Sequence, residues 1–520
     1  MIGGLMIYRH GAVAAGHKLT AEAAEIVLRE GGNAFDALIS AITTACVVEP
    51  SLASLGGGGS AIVRATNQKP KIFDFFNQTP RKKCADSELD SHYVDIDFGA
   101  GFQKRPVGRG SCATPGIVAG LFAIHETLAT MPMHELLFPA VKFASTGVRV
   151  TGFQSYAINL LKVIYCSDSN TFQAFSSPNN SSTLVNEGEL LQQTHLADAI
   201  EALSYEGPDL FYRGEIGQRL VNDMLSGGHL TIADLENYKI EIRTPIEVNH
   251  RAWHVFTNPP PASGGLLTTL GLKLLTLATQ EQYHLGTSEY LHRLCQVIRR
   301  TSDLQTKGSA RSEILPDMSA LEADFITAWR EQIQPLPATD RGTTHISIID
   351  AAGNQVSATL SNGEGSGYII PGTGIMINNL LEGKNSYSGP SSSWAPDARL
   401  SSVLTPTLLL SKEGKTIALG SGGATQKFTA LLQVLTNLVD YEMDCDRAVS
   451  APRIHLDKEI LLVEEGFDLV QINPFLETYP DYRLFRKHHP IFGGVNVVMH
   501  DGIGFQGSGD RRRDGAFIVI

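Results

Sequence analysis

The feature that most constrains this chain is a pair of alternating segments in its last third. Thr344-His-Ile-Ser-Ile-Ile-Asp350 is rich in β-branched residues, and Ala351-Ala-Gly-Asn354 has turn chemistry. Gln355-Val-Ser-Ala-Thr-Leu-Ser361 then alternates on the way back. Side chains alternate between the faces of a strand, so this pattern predicts a hairpin. Thr407 to Leu410, Ile460 to Val463, Gly494 to Met499 and Ala516 to Ile520 read as further strands, and Gln426 to Tyr441 as the main helix among them. From residue 343 onward the chain is therefore sheet-rich.

The part before it reads differently. Thr20 is placed to cap a helix through Arg29, which Gly31-Gly32 stops. Asn33 caps a second helix, with Asp36 in its first turn, running to about Val47, and Glu49-Pro50 ends it because Pro cannot continue the ladder. Gly56-Gly-Gly-Gly59 and a strand over Ala61-Ile-Val63 follow. Residues 115–240 read mostly as helices, with Ser176 to Ser182 an exposed loop. Pro259-Pro-Pro-Ala-Ser-Gly-Gly265 is a rigid loop that releases a helix from Leu266 to Leu277, and residues 304–340 read as a charged surface excursion. Helical and sheet-rich parts in one chain imply a layered α/β plan.

Composition narrows the partners. At roughly 150 residues per domain, 520 residues allow about three domains or one large α/β enzyme. With 42% hydrophobic and 18% charged residues the chain can bury a large core, which excludes wholesale disorder. A net charge of −12 argues against nucleic acid and against an anionic membrane surface as partners. Arg511-Arg512-Arg513, flanked by Asp510 and Asp514, reads as a solvated, self-paired turn. Six scattered Cys with no C-x-x-C do not make a disulfide scaffold. No apolar run reaches the roughly 18 residues of a membrane span. Met1 to Tyr8 lacks the layout of a secretory signal, so a cytoplasmic location is expected, or a periplasmic one if the N-terminus is incomplete.

Several motifs exclude chemistry. The glycine run is followed by no Lys of a phosphate loop, and a helix rather than a strand precedes it. Close backbone packing under an active site is its better reading. The adjacent rings of His488-His489 diverge on a strand, and no H-E-x-x-H or Cys/His cluster occurs, so no metal site is expected. No G-x-S-x-G elbow is present. Gly342-Thr343 at the start of the hairpin reads, taken alone, as an ordinary uncleaved strand start, with a second reading as a cleavage site. A Thr hydroxyl is a poor nucleophile in mid-chain, but a free α-amino group on the same residue supplies a base. That requires cleavage of the preceding bond, and Gly342 removes bulk beside the scissile carbonyl.

Taken together, the passages identify a resemblance. Gly31-Gly-Asn-Ala-Phe-Asp-Ala37, Val48-Glu-Pro50 with the glycine run, Ala113-Thr-Pro-Gly-Ile-Val-Ala-Gly120 and Pro259-Pro-Pro-Ala-Ser-Gly-Gly265 come first. Gly342-Thr-Thr-His345, Pro371-Gly-Thr-Gly-Ile-Met-Ile-Asn-Asn379, Leu400-Ser-Ser-Val-Leu-Thr-Pro-Thr407, Gly420-Ser-Gly-Gly423 and Ala451-Pro-Arg-Ile-His455 follow. In this order, from about residue 10 to 520, the chain resembles the γ-glutamyltranspeptidase family of N-terminal-nucleophile hydrolases. The resemblance implies a four-layer αββα sandwich and a proenzyme that cuts itself between Gly342 and Thr343. A large subunit, 1–342, and a small one, 343–520, would stay together as one intertwined heterodimer. Thr343 would attack a γ-glutamyl amide, as in glutathione-like compounds, and pass the acyl group to water or an amino acceptor. The chemistry calls for no cofactor and no metal. The helper hydroxyl falls on Ser361, with Thr359 on the same strand face, and the oxyanion donors on Gly423 and Ala424, where the family has Gly.

Recognition of the glutamyl group departs from the family pattern. Phe76 stands where the family has a carboxylate-binding Arg. Its acidic residue for the α-amino group lands on Gly383, beside Glu382. Leu380 and Gly363 replace a Gln and an Asn, while Ser401-Ser402 are retained. Arg105, Arg109 and Arg399 are candidates to replace the missing cation. Two alternatives follow: the same machinery acting on another acyl amide, as in acylase-like branches, or a relative that never cleaves and serves as a binding or scaffold protein.

Overall fold

The hairpin expected over 344–361 is present, and it lies at the centre of a seven-stranded sheet. Gly342–Asp350 pairs antiparallel with Gln355–Gly363, every residue of both strands buried. Gly11–Ala15 flanks the first strand and Gly58–Arg64 the second. Ala516–Val519 completes one edge, and Lys71–Phe75 with Glu241–Arg243 the other. The computed structural model describes residues 10–98, 101–276, 284–307, 342–381, 394–423, 427–457 and 459–520. The excursion expected over 304–340 lies, from 308 on, outside the described residues.

A six-stranded sheet faces the first. Its order is Phe505–Ser508, Gly494–His500, Thr416–Gly422, Thr407–Ser411, Trp253–Thr257 and Ile246–His250, all antiparallel neighbours. Ala12, Ala14, Ile62, Ile72, Ile349, Leu408, Ala418 and Val498 meet between the two sheets. Lys18–Arg29 and Ala34–Val48 cover the outer face of the first sheet, in one core with Ile346, Ile348 and Val356. Gly264–Thr276, Ser288–Lys307 and Lys427–Val439 cover the second. The result is the expected αββα sandwich, and both sheets take strands from either side of residue 343.

Local chemistry explains the entry to the site. Asn33 and Asp36 form a reciprocal capping box: Asn33 Oδ1 accepts from the Asp36 N–H at 2.9 Å and Asp36 Oδ2 from the Asn33 N–H at 2.8 Å. Asp36 also accepts from the Thr130 and Met131 backbone, so one motif fixes a helix start and a loop 94 residues on. Thr20 is not the cap of the preceding helix. His17 caps it, through the Leu19 N–H at 3.1 Å, and the Thr20 hydroxyl instead donates to Glu49 at 2.8 Å.

Two more expectations need correction. The Arg511–Arg513 turn is not a solvated, self-paired one. The Arg512 side chain is fully buried, ion-paired to Glu464 at 2.6 Å and to Asp510 at 3.2 Å, and Arg453 meets Asp510 at 2.7 Å. Buried guanidinium groups require such partners; Asp510 is a neighbour in sequence, but Glu464 and Arg453 come from distant segments that charge spacing cannot show. His488 and His489 lie in a turn rather than on a strand, with His488 at φ 63°.

Candidate active site

The first central strand begins at a register shift between Gly342 and Thr343. Gly342 lies opposite Gly363 and Thr343 opposite Ser361, which leaves Asn362 as the extra residue of a bulge. Neither amide atom of the buried Asn362 side chain has a partner among the described residues. Gly342 is required sterically: a Cβ there would strike the Gly363 carbonyl and approach the Ser51 carbonyl. The glycine run also brings its backbone close, since a Cβ on Gly57 would meet the Ser361 carbonyl at 2.5 Å. This agrees with the reading of that run as close packing under a site.

Three groups converge on the Gly342–Thr343 peptide. Ser361 Oγ donates to the Gly342 carbonyl oxygen at 2.8 Å. Lys427 Nζ donates to Thr343 Oγ1 at 2.7 Å, and both side chains are buried. Gly422, at the end of the neighbouring strand, packs so tightly that a Cβ would meet the Thr343 carbonyl at 2.6 Å. A polarised carbonyl, a hydroxyl and an amine thus stand together. That is the equipment for nucleophilic attack on the carbonyl and for moving the hydroxyl proton.

Thr359 does not join them. Its hydroxyl meets the His345 ring at Nδ1, 2.8 Å away, one register step down the hairpin, and His345 Nε2 meets Ser347 Oγ at 3.0 Å. Burial lowers His345 to about 3, so the ring is neutral and structural. The even-numbered face of the strand is different. Thr344 Oγ1 donates to Glu49 Oε2 at 2.6 Å, opposite the bond from Thr20. Burial pushes the Glu49 carboxyl up to about 7, against the lowering effect of those two hydroxyls.

A small cavity beside Thr343 is lined by Gly16, Glu49, Gly494, Asn496, Asp510 and Arg513 among others. Asn496 Nδ2 donates to the His345 carbonyl at 2.7 Å, and its Oδ1 accepts from the Asp510 N–H at 3.1 Å. Burial alone would raise the Asp510 carboxyl, but the Arg453 and Arg512 guanidinium groups lower it on balance. The buried ion cluster therefore holds the back wall of the site. Arg513 differs from its neighbours. Its Nε donates to the Pro490 carbonyl at 3.2 Å, and no carboxylate lies within 4 Å of it among the described residues.

Gly423 has φ 134°, a conformation that favours glycine. Ala424, Glu382 and Gly383 lie outside the described residues. Ser401 Oγ donates to the Pro261 carbonyl at 2.7 Å, and the Ser402 carbonyl accepts from Ser263 N–H at 2.7 Å, so both serines are strapped to the proline loop. Phe76 is buried in an apolar cluster with Ala113, Leu380, Leu381, Trp394, Leu400 and Leu404.

None of the three arginines proposed as substitutes is available. Arg105 pairs with buried Glu364 at 2.8 Å, and Arg109 with Asp90 at 2.7 Å. Arg399 is held by the Phe76 carbonyl, by Tyr238 Oη at 2.6 Å and by the Lys239 carbonyl. Sequence reasoning missed Lys427 and Arg513. Lys427 had a signal, as a lone cation at the start of an apolar helix just after the Gly420–Gly423 motif. Among the described residues no group of three or more His, Cys, Asp or Glu is arranged to hold a metal ion. No helix among them is long and apolar enough to cross a membrane.

Comparison with known proteins gives consistent matches. A model of the family described as gamma-glutamyltranspeptidase matches residues 20–520. The acylase ACY 1 proenzyme of Pseudomonas sp. (strain SE83) is 28% identical, over 98% of this chain and 93% of its own length. The glutathione hydrolase proenzyme of Escherichia coli (strain K12) is 29% identical, over 85% of this chain and 80% of its own. In architecture the chain resembles the crystal structure of cephalosporin acylase from Bacillus halodurans, with a TM-score of 0.80. At 22% identity, that match covers 100% of this chain and 97% of the other.

Proposed function

The chain belongs to the γ-glutamyltranspeptidase family and is an enzyme of that family, and we propose that it is a self-processing amidohydrolase and acyltransferase in which Thr343 is the nucleophile. The observation that carries the assignment is the Gly342–Thr343 peptide itself, with Ser361 donating to its carbonyl and Lys427 to its hydroxyl. In maturation Thr343 Oγ1 adds to the Gly342 carbonyl carbon, and the Ser361 hydroxyl donates to the carbonyl oxygen on which the negative charge develops. Collapse transfers the acyl group from nitrogen to oxygen, and water hydrolyses the ester. The large part, 1–342, and the small part, 343–520, then stay together, which is supported by their shared sheets.

In turnover the freed Thr343 amine takes the hydroxyl proton while Oγ1 attacks a substrate amide. The acyl-enzyme passes its acyl group to water or to an amino compound. A γ-glutamyl amide is the substrate class we assign, with glutathione-like compounds in mind. Its α-carboxylate needs a cation, and Arg513 on the cavity beside Thr343 is the group left to provide it. The experiment is an intact-mass measurement followed by turnover of a γ-glutamyl anilide. Two fragments divided before Thr343, together with release of the aniline, are expected. A processed protein that does not turn over the anilide would sink the γ-glutamyl assignment.

One observation favours a second reading. The position of the expected Arg is filled by Phe76, inside an apolar cluster. That environment suits an apolar acyl group, and the same nucleophile would then serve an acylase. Faster release from a medium-chain acyl anilide than from the γ-glutamyl one would select this reading.

A further inference from the structure

We infer that Lys427 is the general base of self-cleavage, the group that takes the Thr343 hydroxyl proton before the α-amine exists. The inference rests on the assignment of Gly342–Thr343 as the bond that is cut. In the uncut chain the Thr343 nitrogen belongs to an amide and has no basic lone pair, so the base used in turnover is absent. The neighbouring groups are committed elsewhere. His345 bonds Thr359 and Ser347 through its two ring nitrogens, and Glu49 accepts from Thr20 and Thr344. Asp510 is held by Arg453, Arg512 and the Val495 N–H. The Ser361 hydroxyl is already donating to the Gly342 carbonyl. Lys427 Nζ lies 2.7 Å from Oγ1, donating to it in the resting chain, and as a neutral amine it would accept the Oγ1 proton across the same contact. It sits fully buried in the first turn of Lys427–Val439, within reach of no bulk water.

The step balances without any further reagent. The neutral Lys427 amine accepts the Oγ1 proton as Oγ1 bonds to the Gly342 carbonyl carbon, and the carbonyl π pair moves to the oxygen that Ser361 contacts. Collapse of that oxyanion breaks the bond from the Gly342 carbon to the Thr343 nitrogen, and the Lys427 ammonium gives the same proton to the departing nitrogen. One water then adds its OH to the ester carbon and returns a proton to Oγ1. The products are a Gly342 carboxyl group and a free Thr343 amine.

The test follows newly translated full-length chain by intact mass, as the 56.2 kDa species divides, across pH 5.5–9. Wild type, Lys427→Met and Lys427→Arg are compared, with Tm measured for each. The cavity also holds Glu49, His345, Asp510 and Arg513, and His455 bonds Thr429 two residues along the helix. Their titration is common to all three proteins, so the difference between profiles reports Lys427. The wild-type rate is expected to rise with pH and level off. Both variants are expected to cleave about 100-fold or more slowly, the usual scale of a lost acid–base group, and without that rise. Wild-type cleavage by Lys427→Met would overturn the inference. So would rescue by Lys427→Arg, which keeps charge and donors but has no accessible basic form, and which carries the test if the Met variant does not fold. Thr343→Ala that still splits would instead refute the nucleophile on which the inference rests.

Discussion

The peptide proposed to be cut and the region expected to read the acyl group obey opposite rules. Around Gly342–Thr343 polar groups meet at 2.6–2.8 Å with both sides buried, and a single Cβ at Gly342 does not fit. Around Phe76 the wall is apolar, and the nearby arginines are tied to Glu364, Asp90, Phe76 and Tyr238. Reaction machinery tolerates little variation, because the reacting atoms must meet in one geometry. A recognition wall is free to change with the acyl group it accepts. On the proposed reading, the contrast accounts for a chain that keeps the nucleophile strand while Phe76 stands where a carboxylate anchor is expected.

The largest effect should come from removing the nucleophile. Thr343→Ala is expected to abolish both division of the chain and turnover, read by intact mass and by anilide release. Ser361→Ala should slow cleavage by about 10²- to 10³-fold, corresponding to about 2.7–4 kcal/mol for one lost oxyanion donor. A smaller loss would place Ser361 in packing rather than in chemistry. Glu49 provides a pH test of the same side. Burial raises its carboxyl from the ordinary 4.5 to about 7, so the folded state holds the proton more tightly than the unfolded chain. The resulting stability is complete below about 4.5 and is lost as pH rises through about 7, a change on the order of 3 kcal/mol. Denaturant unfolding between pH 4 and 8 should show that decline, and Glu49→Gln should flatten it.

The sequence showed the machinery side more clearly than the recognition side, for physical reasons. A hairpin writes its period into the chain, and Asn33 with Asp36 writes a capping box within four residues. The period places Thr343 and Ser361 on paired strands, while their expected roles, and that of Gly342 at the cut, came from the family resemblance. Thr359 was misjudged because strand alternation gives the face but not the register step, and His345 claims its hydroxyl. Lys427 and Arg513 are brought to Thr343 by the second sheet and its flanking turn, from 84 and 170 residues further along the chain. No local pattern carries such a distance. The Arg512 network was invisible for the same reason, since its partner Glu464 lies on a separate small sheet.

The smallest predicted effect bears most directly on the contrast. Arg513 is the one arginine of the cavity beside Thr343, and it meets a carbonyl rather than a carboxylate. If it replaces the missing anchor, Arg513→Met should raise KM for a γ-glutamyl anilide about ten- to a hundredfold, matching the roughly 1.5–3 kcal/mol of a charged hydrogen bond. Turnover of an anilide without the α-carboxylate should change little, and self-cleavage should proceed, because neither requires that cation. Equal losses with both anilides would mean that Arg513 supports the wall through Phe153 and Pro490 instead, with its guanidinium 5.6 Å from the Phe153 ring centroid. Recognition would then have to come from the apolar cluster around Phe76, and the acylase reading would gain what the γ-glutamyl reading lost.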